Sequence, residues 1–288
     1  MSLPETLREY IAAAFPGLWV QTFEPDEAAR EIALLARDQK WSLASWDIDQ
    51  GLKVGNESAS ETTDPIAALG ALLALAKPES SALLLLSNFH RFLQSPEVVQ
   101  RLANLLIAGK TKRCFVIVLS PVVQIPVELE RQFVVLEHAL PDRSQLLALA
   151  KGVCTEPGDL PEGQDLEQLL DAAAGLTRYE GEGAFSLSLV RHHRLVPESI
   201  WELKTQSLKK SGLLTLHRGG ERFADLGGLE AMKSFCSRSL EARQRRRKAT
   251  ARGILLLGPA GSGKSAFAKA LGNQTGRPTL ILDVGRPV

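Results

Sequence analysis

Eight residues combine the side-chain types and spacing that bind a nucleoside triphosphate. The segment reads Gly258-Pro259-Ala260-Gly261-Ser262-Gly263-Lys264-Ser265 and fits the pattern G-x-x-x-x-G-K-[ST]. Its glycines leave room for backbone N–H groups to wrap around phosphate oxygens. Lys264 would reach the β- and γ-phosphates, and the Ser265 hydroxyl would hold Mg²⁺. We therefore expect all eight residues to bind ATP and Ser265 to be the metal ligand.

The flanking sequence predicts the elements that would position this loop. The apolar run Gly253–Leu257 predicts a buried parallel strand, and the spacing of Ser265–Leu271 predicts a helix that stops by Gly276. The positive end of that helix dipole would point at the phosphates. A glycine-rich turn that binds nothing is the alternative.

The residues that would complete catalysis are not identifiable. An ATPase of this type also needs a later strand that ends in an acidic Mg²⁺ ligand, and a residue that activates water. Only 23 residues follow Ser265, enough for one helix and the predicted strand Thr279–Asp283. We therefore expect the sequence to end inside a domain, and the catalytic residues stay unassigned.

Composition indicates a globular protein without a strong pull toward polyanions or membranes. The 288 residues have room for about two domains, and the net charge is +1. Three cysteines are too few and too scattered for a disulfide or zinc framework. The apolar stretch Pro65–Ala76 is too short to span a bilayer, and the first ten residues do not form a signal peptide. We expect a soluble cytoplasmic protein with no membrane partner.

Strands alternate with helices over residues 1–140, which predicts an α/β domain with a parallel sheet covered by helices on both faces. The predicted strands are Leu18–Phe23, Trp41–Trp46, Ala82–Ser87, Cys114–Ser120 and Phe133–Leu136. The predicted helices are Leu3–Phe15, Glu24–Gln39, Pro65–Ala76 and Ser95–Ala108. The polar stretch Gly55–Asp64 is interpreted as a loop.

Residues 141–210 show only helical patterns and predict a small helical lid with a connecting helix. These helices are Asp142–Gly152, Asp165–Ala174, Gly183–His192 and Pro197–Lys210. Residues 211–288, which carry the phosphate-binding pattern, form a third and incomplete region.

Three features together resemble AAA-type ATPases, a group of P-loop NTPases. They are the segment Asp225-Leu226-Gly227-Gly228-Leu229-Glu230, the lead-in from Arg252 to Ser265, and the layout of an α/β sheet followed by a helical lid. The whole sequence looks most like the conserved-reading-frame AAA proteins of bacteria and plastids. Those carry a degenerate AAA-like domain ahead of one active AAA module. The segments Glu128–Arg131 and Leu140–Arg143 also fit that pattern.

The resemblance implies a function and a set of partners. Asp225, Leu226 and Gly227 would lie along the adenine, and residues 258–265 would be the Walker A loop. The intact family would hydrolyse ATP to ADP and remodel a protein client, here unknown. It would also form homo-oligomers, because a neighbouring subunit's arginine completes each site. This polypeptide lacks the Walker B, sensor and arginine-finger parts, so its own hydrolysis is left open and binding of ATP is the expectation.

The first domain departs from the pattern of a nucleotide site. The turn Thr22–Glu27 has no glycine and no Lys-Ser pair, and it carries three carboxylates that would repel phosphate. The strand that resembles Walker B ends Leu86–His90, without an acidic pair. We interpret this domain as unable to bind nucleotide.

Other interpretations stay open. The chain could be a non-catalytic interaction module whose P-loop segment is nonfunctional. The basic run Arg243–Lys248, with Arg252, could contact nucleic acid, although such a run is more often a solvated helix end. The pair His192–His193 is a weak metal candidate, and Asp47 with Asp49 is a weak carboxylate pair.

Overall fold

The chain divides into two compact units. The computed structural model describes residues 2–55, 57–60, 62–77, 80–209, 214–217, 220–241, 253–259, 261–274 and 279–282. The first unit takes residues 1–144 together with 175–180, and the second takes residues 145–174 together with 181–288.

The first unit is built on a seven-stranded sheet. Its strands are β1 (Gly17–Gln21), β2 (Ser42–Asp47), β3 (Gly51–Val54), β4 (Glu57–Ser60), β5 (Ala82–Ser87), β6 (Cys114–Ser120) and β7 (Phe133–Glu137). Their spatial order is β4-β3-β2-β5-β6-β1-β7. Strands β2, β5, β6, β1 and β7 run parallel to one another, whereas β3 and β4 are antiparallel at one edge.

Helices cover both faces of this sheet. They are α1 (Leu3–Ala12), α2 (Pro25–Asp38), α3 (Pro65–Ala74) and α4 (Pro96–Lys112). On one face, α1 and α2 share a core with Leu83 and Leu85 of β5; on the other, α3 and α4 share a core with Leu84 and Leu86. Successive side chains of a strand point to opposite faces, so an all-apolar strand such as β5 can fill two cores at once. The predicted α/β class is confirmed.

The edge of the sheet contains two strands that the sequence interpretation missed. Gly55–Asp64 was expected to be a loop, but β4 lies within it and pairs with β3 in a hairpin through Gly55. The backbone at Gly55 has φ +61°, the left-handed conformation that tight turns require. Glu57–Ser60 has no alternation of apolar and polar residues, so nothing in its pattern predicts a strand.

The remainder of the chain is mostly helical. Its elements are α5 (Arg143–Val153), α6 (Gly163–Ala173), α7 (Arg178–His192), α8 (Pro197–Lys209), β8 (Leu214–His217), α9 (Glu230–Glu241), α10 (Lys264–Gln274) and β9 (Thr279–Leu282). Helix α7 begins earlier than its predicted start at Gly183. The backbone N–H groups of Thr177 and Glu180 each donate to the other residue's side chain at 3.1 Å, which starts the helix five residues sooner.

The strand predicted over Gly253–Leu257 is wrong. The segment has no regular secondary structure, and Leu255 and Leu257 are 82% and 84% exposed. Within the described part of the second unit the only strands are β8 and β9, which pair with each other in antiparallel fashion. A buried parallel strand needs hydrogen-bonded neighbours and apolar cover on both faces. The described part of this unit offers Gly253–Leu257 neither.

Candidate nucleotide site and its counterpart in the first unit

The glycine turn of the predicted phosphate-binding loop leads directly into a helix. Residues 261–263 form the turn, and α10 begins at Lys264; Ala260 lies outside the described residues. Gly261 and Gly263 have φ of +79° and +82°, a region that residues with side chains rarely adopt. The first N–H groups of a helix have no partner within the helix, so the turn opens onto unpaired donors suited to an anion.

Lys264 folds back over this turn. Its Nζ donates to the carbonyl oxygens of Gly258 at 2.8 Å and Pro259 at 2.6 Å, and to the hydroxyl of Ser262 at 3.1 Å. These acceptors are neutral and exposed to water. In these hydrogen bonds only the lysine ammonium is charged, whereas a phosphate oxygen would add an opposite charge and therefore a Coulomb attraction. Lys264 is therefore placed to exchange loop oxygens for a phosphate.

Ser265, the second residue of α10, is exposed. No hydrogen bond to its hydroxyl occurs within the described part of the chain. Mg²⁺ prefers oxygen ligands and keeps several of its waters, so it is commonly held by one or two protein groups together with phosphates. An exposed, uncommitted hydroxyl at the start of the helix fits that requirement.

A stacked aromatic pair attaches α10 to the segment that precedes α9. Phe267 is buried, and its ring stacks on Phe223 with centroids 5.4 Å apart and planes 18° apart. The Asn273 side chain adds a 2.8 Å hydrogen bond to the carbonyl oxygen of Glu221. The residues just before Asp225 therefore lie against the helix that starts with Lys264.

The predicted adenine segment is held by its own local contacts. The Asp225 carboxylate accepts from the backbone N–H of Arg222 at 2.9 Å, and the Leu226 carbonyl accepts from Lys233 Nζ at 2.7 Å. Gly227 is exposed. Among the described residues no hydrogen bond joins residues 225–227 to residues 258–265; the Phe223–Phe267 stack connects the two segments instead.

Sequence reasoning missed Phe223 and Lys233. Lys233 is a lysine only 8% exposed, and it also pairs with Glu230 at 2.8 Å. The available signals were the aromatic residue just before Asp225 and the Glu-to-Lys spacing of three on a predicted helix.

The chain's own side chains occupy the strand-to-helix turn of the first unit. Thr22, directly after β1, is buried; its Oγ1 lies 2.8 Å from His138 Nδ1 and accepts from the backbone N–H of Glu24 at 2.9 Å. Two further contacts come from Arg178. Its Nε lies 3.2 Å from the Glu27 carboxylate, and its backbone N–H donates to the Glu24 carboxylate. We call Glu24, Glu27 and Arg178 the carboxylate clasp.

The end of β5 likewise lacks a negative charge. Asn88 follows the strand with φ +54°, a conformation that asparagine tolerates well, and its N–H donates to the carbonyl of Leu119 at 2.8 Å. His90 is buried, and its Nδ1 has no hydrogen-bond partner. Burial lowers the pKa of His90, and Arg91 lowers it further. The imidazole is therefore neutral at physiological pH and cannot replace a Mg²⁺-binding carboxylate.

The remaining candidates have structural explanations or cannot be described. Asp47 accepts from the backbone N–H groups of Asp49 and Gln50 in a turn. In the described ranges no group of three or more His, Cys, Asp or Glu residues is placed to hold a metal ion. Arg243–Lys248 and Arg252 lie outside the described residues. None of the helices in those ranges is long and apolar enough to cross a membrane.

Two domain models of one family match the chain. The model for the N-terminal domain of SpoVK-like AAA ATPases matches residues 3–138, and the model for the second domain of the same family matches residues 144–211. Together they cover more than half of the chain.

Sequence similarity over nearly the whole of this chain also points to AAA proteins. The AAA domain-containing protein ycf46 of Guillardia theta is 25% identical over 99% of this chain and 58% of its own length. Ycf46 of Trieres chinensis is 26% identical over 99% of this chain and 59% of its own length. The chain thus spans about three fifths of the length of these curated relatives.

A solved structure supports the fold. The crystal structure of the FIGL-1 AAA domain superposes with a TM-score of 0.50 at 12% identity, covering 69% of this chain and 78% of that domain. At this identity the likeness shows the fold alone. The two matched domain models show that the chain belongs to the AAA-type ATPases, in the SpoVK-like family.

Proposed function

We propose that the chain binds ATP with Mg²⁺ at residues 258–265. The observation that carries this proposal is Lys264, which is the first residue of α10 and reaches back over the carbonyls of Gly258 and Pro259. In the proposal, backbone N–H groups of the turn and the start of α10 hold the phosphates, and Lys264 pairs with the β- and γ-phosphates. Ser265 holds Mg²⁺, which neutralises phosphate charge. Asp225, Leu226 and Gly227 lie along the adenine.

The proposal for the longer proteins of the family goes further. In them, residues 1–140 would form a degenerate AAA-like domain, residues 141–210 a lid with a connecting helix, and residues 211–288 the first part of a second module. That module would hydrolyse ATP to ADP in a cytoplasmic homo-oligomer and remodel a protein client. Membership of the AAA-type ATPases supports this assignment. For the present chain the proposal is limited to binding.

A titration with a fluorescent ATP analogue, with and without Mg²⁺, tests the binding proposal. Lys264→Ala should weaken affinity by about 100-fold or more, since it removes two or three charge-assisted hydrogen bonds from the phosphates. Lys269→Ala is the matched control: it removes a lysine from the same helix, one whose Nζ lies 3.8 Å from Glu221. Ser265→Ala should weaken binding only when Mg²⁺ is present.

The Lys264 variant should remain folded, because it loses contacts only to exposed loop oxygens. Thermal unfolding of each variant checks this. Equal affinities of the folded wild type and Lys264→Ala would refute ATP binding at this loop.

A non-catalytic interaction module is the second candidate. The observation in its favour is the exposure of Ile254, Leu255 and Leu257, apolar residues that a complete P-loop domain would bury. Limited proteolysis separates the two functions. Cleavage between Gly219 and Val288 that leaves a stable fragment ending near Lys210, unchanged by MgATP, would favour the interaction module. Protection of that region by MgATP would contradict it.

A further inference from the structure

Three cations meet at the edge of the first-unit sheet where the parallel strands begin. Lys40 lies just before β2, Lys77 shortly before β5, and Arg113 immediately before β6. These strands are neighbours in the order β2-β5-β6 and run parallel, so their amino ends lie together. The carboxyl ends, where Thr22 and Asn88 lie, are at the opposite edge of the sheet.

An open depression of about 740 Å³ lies between these cations, whose side chains are exposed. The residues that line it are Gln39, Lys40, Trp41, Lys77, Ser80, Ser81 and Arg113. None of them carries a negative charge, and Pro78 and Glu79 lie outside the described residues. The volume falls within the range of about 300–1,000 Å³ that small-molecule sites occupy.

The walls of the cavity are fixed by hydrogen bonds. The Nε and Nη2 atoms of Arg113 donate to the hydroxyl of Ser81, which is 2% exposed, at 3.3 and 3.1 Å. Ser80 Oγ donates to the carbonyl of Lys40 at 2.8 Å. The two bonds to Ser81 hold the guanidinium by one side. Of its five N–H groups, three have no protein acceptor within the described part of the chain, which leaves them available to a ligand.

The backbone at two of the cations is strained. Lys40 has φ +57° and Arg113 φ +51°, and both end helices at positions where glycine is the usual residue. A cation near a helix C-terminus interacts favourably with the helix dipole, and this would explain the positive charge of Lys40 and Arg113. It does not explain why a long side chain, and not glycine, occupies a left-handed position. The helix dipole also does not explain Lys77, which does not end a helix, or the presence of the cavity.

We propose that this cavity, the basic edge pocket, binds a nucleoside phosphate. The phosphate would lie among Lys40, Lys77 and the guanidinium of Arg113, whose planar fork suits phosphate oxygens. Trp41, which is partly buried in the wall, would supply the apolar face for the base. The pocket belongs entirely to the first unit and is independent of residues 258–265. It lies at the opposite end of the strands from Thr22 and Asn88, so it is a different place from the turn and strand end on which we based the interpretation that this domain does not bind nucleotide.

Calorimetric titration of the full chain carrying Lys264→Ala tests this proposal without interference from the P-loop. The ligands are AMP, adenosine and inorganic phosphate, all without Mg²⁺. AMP should bind, phosphate should bind about tenfold more weakly because it lacks the base, and adenosine should not bind measurably. Adding Lys40→Gln, Lys77→Gln and Arg113→Gln together should reduce AMP affinity by about 100-fold or more.

A control variant with the same change in net charge is Arg8→Gln, Arg91→Gln and Lys151→Gln, three exposed cations outside the pocket. It should leave AMP affinity within about twofold, because exposed charges at a distance are screened by salt. Lys77→Gln alone changes neither a strained position nor the Ser81 bond, so it should remain folded and still weaken AMP several-fold. Trp41→Leu should bring AMP affinity down to that of phosphate.

The results that would overturn the proposal are equally specific. Absence of AMP binding, or equal loss in the pocket and control variants, would show that these cations form no site. AMP binding that is unchanged in the pocket variant would place the ligand elsewhere. A homopolymer oligonucleotide that binds more than about 100-fold tighter than AMP, with a steep salt dependence, would identify the edge as a nucleic-acid surface instead.

Discussion

Two turns of this chain lead from an apolar segment into a helix, and they carry opposite charges. The turn after β1 places Glu24, Asp26 and Glu27 at the start of α2. The turn before α10 has no acidic residue between Gly253 and Ser265, and its helix starts with Lys264. A helix amino end attracts negative charge. At the start of α2 the chain's own carboxylates supply this negative charge, and Arg178 of the carboxylate clasp neutralises part of it. At the start of α10 the first turn supplies no negative charge, and the position is occupied by Lys264 and solvent.

This difference separates what the sheet architecture requires from what a phosphate site would require. The strands and helices of the first unit need only apolar side chains at the right period, which they retain. Phosphate affinity depends on a few residues at one turn. Asp26 and Glu27 in the first turn of α2 place negative charge where a phosphate would have to bind, so the two turns should respond differently to perturbation.

After the Lys264→Ala effect given above, the largest expected effect comes from replacing a glycine of the α10 turn. Gly263→Val should weaken ATP binding about tenfold or more, because a β-branched residue at φ +82° costs roughly 1–3 kcal/mol. An added Cβ would meet no atom within 4 Å, so the strained backbone conformation is the main effect of the substitution. The measurement is the ATP-analogue titration.

The matched control for this variant is Gly55→Val in the β3–β4 hairpin. Gly55 has φ +61° and equally open space around its Cα. It should destabilise the first unit by a similar amount and leave ATP affinity unchanged. If both variants bind ATP like the wild type, the glycine turn is not what binds the phosphates.

Breaking the clasp has a smaller effect, on stability alone. Arg178→Ala leaves Glu27 without its cation, while the backbone N–H that donates to Glu24 remains; the variant should lower the free energy of unfolding of the first unit by about 1 kcal/mol. Tryptophan fluorescence during urea unfolding reports mainly on this unit, since it holds three of the chain's four tryptophans, Trp19, Trp41 and Trp46. ATP affinity should not change.

A double-mutant cycle with Glu27→Gln separates this pair from other effects of Arg178. Arg37→Ala is the control: its partner Asp38 is 4.0 Å away and both side chains are at least 70% exposed, so the change should be close to zero. Additive losses in Arg178→Ala and Glu27→Gln would mean that the clasp does not stabilise the unit.

The sequence predicts these regions unequally, for physical reasons. Strands β5 and β6 have the predicted bounds, because a continuous apolar run of six or seven residues between helices has few other solutions. Gly253–Leu257 has the same apolar pattern and forms no strand. An apolar pattern shows how much surface a segment could bury, but it does not show whether a neighbouring strand is present to pair with it. The link between Arg178 and Glu24 spans 154 positions, and no local pattern carries such information.

The sequence predicts those features of the candidate site that depend only on residues close together in the chain. The start of α10 follows from the spacing of Gly261, Gly263 and Lys264, whose roles depend on backbone geometry within a few residues. The Phe223–Phe267 stack and the buried Lys233 depend on how α9 and α10 pack, and single-sequence reasoning has no access to that packing.

The smallest expected effect concerns pH and the end of β5. Burial lowers the pKa of His90 below its ordinary value of about 6.5, so the unfolded chain binds a proton more readily than the folded one. Stability from this residue is therefore fully present above pH 6.5, falls as pH falls toward the folded-state pKa, and levels off below it. Urea unfolding of the first unit at several pH values should show this slope, and His90→Gln should flatten it. The exposed His192→Gln should keep the wild-type slope. If His90→Gln keeps it as well, the imidazole is not held neutral by burial. The end of β5 could then carry a charge, and its contrast with a Mg²⁺-binding strand end would rest on Asn88 alone.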